Sequence, residues 1–138
     1  MLSEVRGASE VTAVTFVYDH TVLTEVLCTR LRRGLELKLL VDREADEEGT
    51  APRQQARLRE LQEAGAVIHT GRGDGRFGRV HGKVVVLDKK VAFTGSPNLT
   101  NKSEKNLELC FRMVGAPVAD ILRVVAEAWS RSRVWAPQ

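Results

Sequence analysis

Apolar positions along this chain follow two periods, and the switches between them mark out the elements. Val11–Tyr18 (VTAVTFVY) is a run of β-branched and aromatic residues, which predicts a buried strand. Val22, Leu23, Val26, Leu27 and Leu31 then fall at helical spacing, with Asp19 or Thr21 as cap and Gly34 at the end. Leu35–Val41 (LELKLLV) predicts a second strand. About Pro52 to Ala64 predicts a second helix, with proline in its first turn and Gly65 after its last. Ala66–Thr70 (AVIHT) predicts a third strand. This β-α-β-α-β order with short links is the signature of a parallel sheet with helices packed on it.

The pattern breaks at Gly71–Arg79 (GRGDGRFGR), where four glycines and three arginines in nine residues exclude a core segment. Val80–Asp88 and Val91–Gly95 predict a hairpin with its turn at Lys89-Lys90. Asn106–Val114 alternates, with Leu107, Leu109, Phe111 and Met113 on one face and Asn106, Glu108, Cys110 and Arg112 on the other. A last helix from about Pro117 places Val118, Ile121, Leu122, Val125 and Trp129 on one stripe, and Trp135 is expected in a docked tail. The expected fold class is α/β: a mixed, mostly parallel sheet flanked by helices, in a single domain over residues 1–138.

Composition narrows the class. The 138 residues are 43% hydrophobic and 28% charged, which suits one globular domain. Net charge is only +3, but it is unevenly spread. Asp42–Glu48 holds five acids and one arginine, a local −4, in what reads as an acidic loop. Gly71–Lys90 holds six bases against two acids, a local +4. No apolar run approaches the roughly 20 residues that cross a bilayer. An acid stands early in the chain where a secretory leader needs apolar residues. No membrane anchor and a cytoplasmic location are therefore expected. Cys28 and Cys110 lie far apart outside any CxxC, and His20, His69 and His81 form no HExxH, so no metal or cofactor is expected. His69 is expected to be structural and His20 to be exposed near a helix start, in an Asp19–Thr21 loop that follows a strand's carboxyl end and is a candidate to line the site entrance.

The chemistry concentrates in H-x-K-x-x-x-x-D (His81, Lys83, Asp88) followed by G-S-x-N (Gly95, Ser96, Asn98). In a strand, side chains alternate faces, so His81 and Lys83 share one face and Asp88 takes the other, in a structural role at the turn. A symmetric hairpin loop centred on Lys89-Lys90 sets Lys83 opposite Ser96 and His81 opposite Asn98, with Cβ atoms about 4.5–5.5 Å apart. Ammonium, amide and hydroxyl donors suit the non-bridging oxygens of a phosphoryl group, and histidine can attack phosphorus or carry a proton near neutral pH. Glu108 is placed to hold one ring nitrogen of His81 and leave the other free.

HGKVVVLD with GSPN resembles the HKD signature of the phospholipase D superfamily. NLTNKSEKNLE, with Asn106 and Glu108, is similar to that family's downstream segment. The order of elements from Val11 to Trp135 also fits, most closely the small single-motif members: bacterial endonucleases and the mitochondrial cardiolipin hydrolase/piRNA-nuclease group. The resemblance implies a phospholipase D-like half-fold that lacks the usual leading strand and helix. It implies catalytic His81, Lys83, Ser96, Asn98 and Glu108, supported by Asp88, Gly95 and Asn106. It further implies two such motifs per active site, one histidine forming a phosphohistidine and the other protonating the leaving oxygen, without metal. A chain with one motif then needs a homodimer with a shared site.

The leading expectation is an endonuclease, with Arg72, Arg76 and Arg79 tracking phosphates and Phe77 stacking on a base. The alternatives are a phospholipid (cardiolipin or phosphatidyl) hydrolase and a non-catalytic nucleic-acid-binding dimer. Asn101–Lys105 is read as a polar loop first and a substrate rim second.

Overall fold

The computed structural model describes residues 1–47 and 51–137. The βαβαβ half forms as the periodicity predicts: β1 (Glu10–Thr15), α2 (Thr21–Leu31), β2 (Glu36–Asp42), α4 (Ala51–Glu63) and β3 (Val67–Gly71). A short α1 (Leu2–Val5) precedes it and α3 (Arg43–Glu47) lies between β2 and α4. Then come β4 (Val84–Leu87), β5 (Val91–Gly95), β6 (Cys110–Val114), α5 (Ala116–Ser130) and β7 (Arg133–Val134).

Among the described residues, these strands form one seven-stranded sheet in the order β6-β5-β4-β1-β2-β3-β7. β1–β2 and β2–β3 are parallel, whereas β1–β4, β4–β5, β5–β6 and β3–β7 are antiparallel. The α/β class stands, but the sheet is more antiparallel than expected. The reason is connectivity: only the two helical crossovers can return a strand in parallel, while a tight turn such as that between β4 and β5 reverses it.

Two layers cover the sheet. On one face Leu23, Val26, Leu27 and Leu31 of α2 and Leu58 and Leu61 of α4 pack on Val11, Ala13, Leu37, Leu39 and Ile68. On the other, Val118 and Val125 of α5 meet Val86, Ala92, Val14 and Leu40. Trp135 joins the first layer, its backbone N–H donating to the Ile68 carbonyl at 2.9 Å. No helix among the described residues is long and apolar enough to cross a membrane.

Four local expectations change. The hairpin corner is Asp88-Lys89, not Lys89-Lys90. Both residues have positive φ (51° and 57°), and the Lys90 N–H closes on the Leu87 carbonyl at 2.9 Å. Val84 therefore pairs with Thr94 and Leu87 with Val91, one position off the predicted register, so Lys83 does not face Ser96. A carboxylate residue tolerates the left-handed region better than most, which draws the turn to Asp88.

The first hairpin strand is also shorter than expected. Residues Val80–Lys83 lie outside the ladder, and the Val80 N–H goes to the Asp42 carboxylate at 2.7 Å. Part of the acidic loop is helix α3, because Asp42 Oδ1 accepts the N–H groups of Glu44 and Ala45, each at 3.0 Å. Glu48 lies outside the described residues. Finally, α2 is capped by His20, whose Nδ1 accepts the Leu23 N–H at 3.2 Å. His20 is buried at 6% exposure rather than exposed.

Candidate active site

Strand direction explains why the motif residues meet. β4 runs antiparallel to β1, so the start of β4 lies beside the end of β1, with Val14 opposite Val84. β5 ends beside the start of β4, and β6 starts beside the end of β5, with Gly95 opposite Cys110. His81 and Lys83 before β4, Ser96 and Asn98 after β5, and Glu108 before β6 therefore project from one end of the sheet. Gly95 makes that approach possible, since a Cβ there would collide with the Leu109 carbonyl oxygen.

His81 and Lys83 come together even though no strand holds them. The Lys83 ammonium lies 2.8 Å from His81 Nδ1 and 3.3 Å from Nε2, and donates to the His81 carbonyl at 2.8 Å. Partial burial lowers the Lys83 pKa, and the Glu108 carboxylate opposes that shift. The Phe16 ring packs on the imidazole with centroids 5.2 Å apart. Asn98 sits at the end of β1, with the Thr15 hydroxyl 3.5 Å from its Oδ1.

The Glu108 carboxylate bonds to Ser96 and Asn106 rather than to His81. The Ser96 hydroxyl donates to one oxygen and Asn106 Nδ2 to the other at 3.1 Å. These bonds, with the Lys83 charge, hold the Glu108 carboxyl below the usual range. Asp88 stands at the far end of β4, where its Oδ1 accepts the N–H groups of Ser9 (2.8 Å) and Glu10 (2.9 Å). It is a structural clamp between the hairpin and the start of β1, and it touches none of the other motif residues.

The Arg/Gly loop is less free than its composition suggests. Arg79 pairs with Glu44 at 2.6 Å and Asp42 at 3.4 Å, and Arg72 lies 3.8 Å from Glu44. The local −4 and +4 segments thus partly neutralise each other. Arg76 lies over the Phe77 ring at 5.4 Å, and Phe77 points into solvent at 83% exposure. His69 is structural, stacked on Trp129 at 3.9 Å and bonded to Ser132 at 2.6 Å.

Two depressions meet at the His81–Lys83 segment. One, of about 280 Å³, is lined by Lys83, Asn98, Glu108, His20 and Glu104. The other, of about 440 Å³, runs from His81 and Arg79 along Ile121, Val124 and Val125 of α5. His20, from the Asp19–Thr21 loop expected at the entrance, does line the first depression, whereas Phe16 and Thr15 are the site neighbours that sequence reasoning did not single out. The available signal was their place at the carboxyl end of the first strand, where α/β sheets gather ligands.

Fold and site together define a phospholipase D-like half-fold carrying one histidine-lysine motif. Residues 2–129 match the family model described as cardiolipin synthase, PLD-like domain, and the chain belongs to that family. A curated relative named phospholipase D, from Rickettsia bellii (strain RML369-C), is 31% identical over 116 residues, which cover 79% of this chain and 54% of that protein. The chain thus spans about half the length of that relative. Among solved structures, the phospholipase D family member Nuc from Salmonella typhimurium superposes with a TM-score of 0.84 at 21% identity, covering 97% of this chain and 87% of that one. NucT from Helicobacter pylori gives 0.85 at 17% identity with the same coverage, so both share the fold.

Proposed function

We propose that this protein is a metal-independent phosphodiesterase, an endonuclease that cleaves nucleic-acid phosphodiesters through a phosphohistidine at a site shared by two copies of the chain. The observation that carries the reading is the convergence of His81, Lys83, Asn98 and the Ser96–Glu108 pair at one end of the sheet. These groups supply a nucleophile and the donors a phosphoryl group requires.

In the first step a ring nitrogen of neutral His81 attacks phosphorus. The P–N bond forms, the P–O bond to the leaving group breaks, and the leaving oxygen takes a proton from the imidazolium of the other His81. In the second step water attacks phosphorus, the second imidazole takes back a proton, and the P–N electron pair returns to His81. Lys83 and Asn98 stabilise the charge that builds on the non-bridging oxygens. Bound phosphate competes with the His81 ring and carbonyl for the Lys83 ammonium.

One imidazole must be neutral while the other is protonated, and this sequence has a single H-x-K motif. A two-fold homodimer supplies the pair. Leu107, Leu109 and Phe111 support this assembly: all three are exposed, Leu107 and Leu109 flank Glu108, and Phe111 lies on the edge strand β6. Outward-facing Arg76 and Phe77 favour a nucleic-acid substrate. A second reading, hydrolysis of a phospholipid, draws on the apolar wall of Ile121, Val124 and Val125 beside His81.

The test is a substrate panel of single- and double-stranded DNA, RNA, cardiolipin and a generic phosphodiester, run in EDTA with wild type and His81→Ala. Cleavage of nucleic acid by wild type alone is expected. Cleavage of cardiolipin alone establishes the second reading. Salt-sensitive binding without any cleavage would make the protein a nucleic-acid-binding dimer, and strict dependence on a divalent ion refutes the metal-independent mechanism.

A further inference from the structure

Asn98 and Glu108 lie on one irregular segment, Ser96–Leu109, whose only regular element is a single 3-10 turn at Ser103–Lys105. The ladder between β5 and β6 ends at Gly95 and Cys110, and β1 adds only a local hold on Asn98: the Thr15 hydroxyl accepts the Leu99 N–H at 3.2 Å and lies 3.5 Å from Asn98 Oδ1. The neck of the segment is closed by reciprocal bonds: the Ser96 N–H donates to the Leu109 carbonyl at 2.9 Å and the Leu109 N–H to the Ser96 hydroxyl at 3.0 Å. Glu108 sits at that neck. Asn98 does not, and a second anchor besides Thr15 must fix the segment that carries it relative to Lys83.

The N-terminal turn of α2 does so. The N–H groups of Asp19 and His20 both donate to the Leu99 carbonyl, at 3.0 and 3.2 Å. The Asn101 side chain donates to the Asp19 carbonyl at 2.9 Å and lies 3.0 Å from the Thr21 hydroxyl. Its carbonyl oxygen accepts the Thr21 N–H at 2.9 Å, and its own N–H donates to the Asp19 carboxylate at 2.9 Å. His20 Nε2 meets Glu104 Oε1 at 2.9 Å while Nδ1 caps the helix. Both imidazole nitrogens are therefore engaged, and His20, Leu99 and Thr100 are buried. This is far more directional bonding than an idle polar loop requires.

We infer that Asn101 and the His20–Glu104 pair are positioning residues. They latch the Asn98-bearing segment to the start of α2 and so hold the Asn98 amide at the phosphate with Lys83. The inference rests on the proposed phosphodiesterase reading for its effect on turnover, but not for the latch itself. A displaced donor costs most where charge develops, in the transition state, so the loss falls on kcat. Glu104 is suited to testing this because its side chain is half-exposed and caps nothing.

The experiment compares wild type, Glu104→Ala, Glu104→Gln, Asn101→Ala, Asn98→Ala and the double variant Asn98→Ala/Asn101→Ala. Steady-state kinetics and amide hydrogen exchange over residues 97–106 are read on each. Asn101→Ala is expected to lower kcat about 10- to 100-fold with KM within about threefold. Glu104→Ala gives a smaller loss, which Glu104→Gln largely restores because it keeps an acceptor for His20 Nε2–H. In the Asn98→Ala background, Asn101→Ala adds nothing further. Exchange over 97–106 rises in Asn101→Ala and Glu104→Ala while the rest of the chain stays protected. Unchanged exchange in both variants overturns the latch, and so does a full additional kcat loss in the double variant. Faster exchange with an inactive wild type upholds the latch and overturns the phosphodiesterase reading.

Discussion

Removing the Asp88 carboxylate is expected to weaken the fold and spare the chemistry, although Asp88 is the third residue of the signature. β4 alone is about 13 Å long, four residues at about 3.3 Å each, and it separates Asp88 from the His81 end of the sheet. The Asp88 carboxylate accepts two backbone N–H groups at 2.8 and 2.9 Å. Charge-assisted bonds are worth about 1.5–3 kcal/mol when buried, but at this solvated turn about 0.5–1 kcal/mol each is appropriate. Alanine also suits the φ of 51° less well than a carboxylate residue, which adds about 0.5 kcal/mol. Asp88→Ala should therefore cost about 2 kcal/mol. With a urea m-value near 2 kcal/mol/M, the midpoint falls by about 1 M. Asp88→Asn keeps an acceptor and the turn conformation, and should lose about half as much.

The pH dependence has a definite sign. The two N–H groups lower the folded-state Asp88 pKa below its unfolded value. The contribution is thus fully present above the unfolded pKa of about 3.9 and is lost as pH falls through the folded value. The gap between wild type and Asp88→Asn should be constant near pH 7 and narrow below about pH 4. Urea titrations at one fixed chain concentration at pH 7 and pH 3, with kcat measured alongside, check this. An Asp88→Ala variant with an unchanged midpoint would refute the clamp. A loss of kcat beyond about 100-fold at unchanged stability would place Asp88 in the chemistry after all.

Glu108→Gln should move the step in the pH–rate profile at which Lys83 deprotonates, distinct from the basic limb set by the imidazolium acid, to lower pH. Glu108 raises the Lys83 pKa against the lowering by burial, so neutralising it leaves burial unopposed; a shift to higher pH contradicts this. Replacing Leu107 and Phe111 together with Lys should yield monomers by light scattering and abolish turnover, because both sit on the exposed β6 side of the site; full activity in a monomer contradicts the shared site. Arg76→Ala with Phe77→Ala should raise KM for nucleic acid and reduce the salt slope by about one. Arg79→Ala should instead destabilise by about 1–3 kcal/mol, because it strips a cation from the fully buried Asp42. Equal KM effects from the two variants would contradict that division.

The sequence reveals what local burial dictates. Val11, Ala13, Leu37, Leu39 and Ile68 are apolar because helices cover them, so the βαβαβ half is visible in periodicity alone. His81 and Lys83 were legible as neighbours for a related reason: a spacing of two residues keeps side chains on one side even where the ladder has not begun. What could not be read is set by distant partners. The hairpin register combines the left-handed corner at Asp88 with its carboxylate reaching Ser9 and Glu10, and those contacts lie outside any window around the turn. The burial of His20 depends on Glu104 and Leu99. The two charged stretches were both visible, but their pairing through Arg79, Asp42 and Glu44 is tertiary. The alternation around Leu107, Leu109 and Phe111 says only that one face is apolar, not whether this chain or another covers it.

The central claim is that two copies of His81 share one phosphoryl-transfer event, one as nucleophile and one as acid. The direct measurement is rapid-quench trapping of wild type with the best substrate of the panel, followed by mass spectrometry of the acid-labile adduct. The account predicts a substrate phosphoryl fragment on His81 at one per two chains, and none in His81→Asn. An adduct on another residue, or stoichiometric labelling of every chain at once, would contradict it.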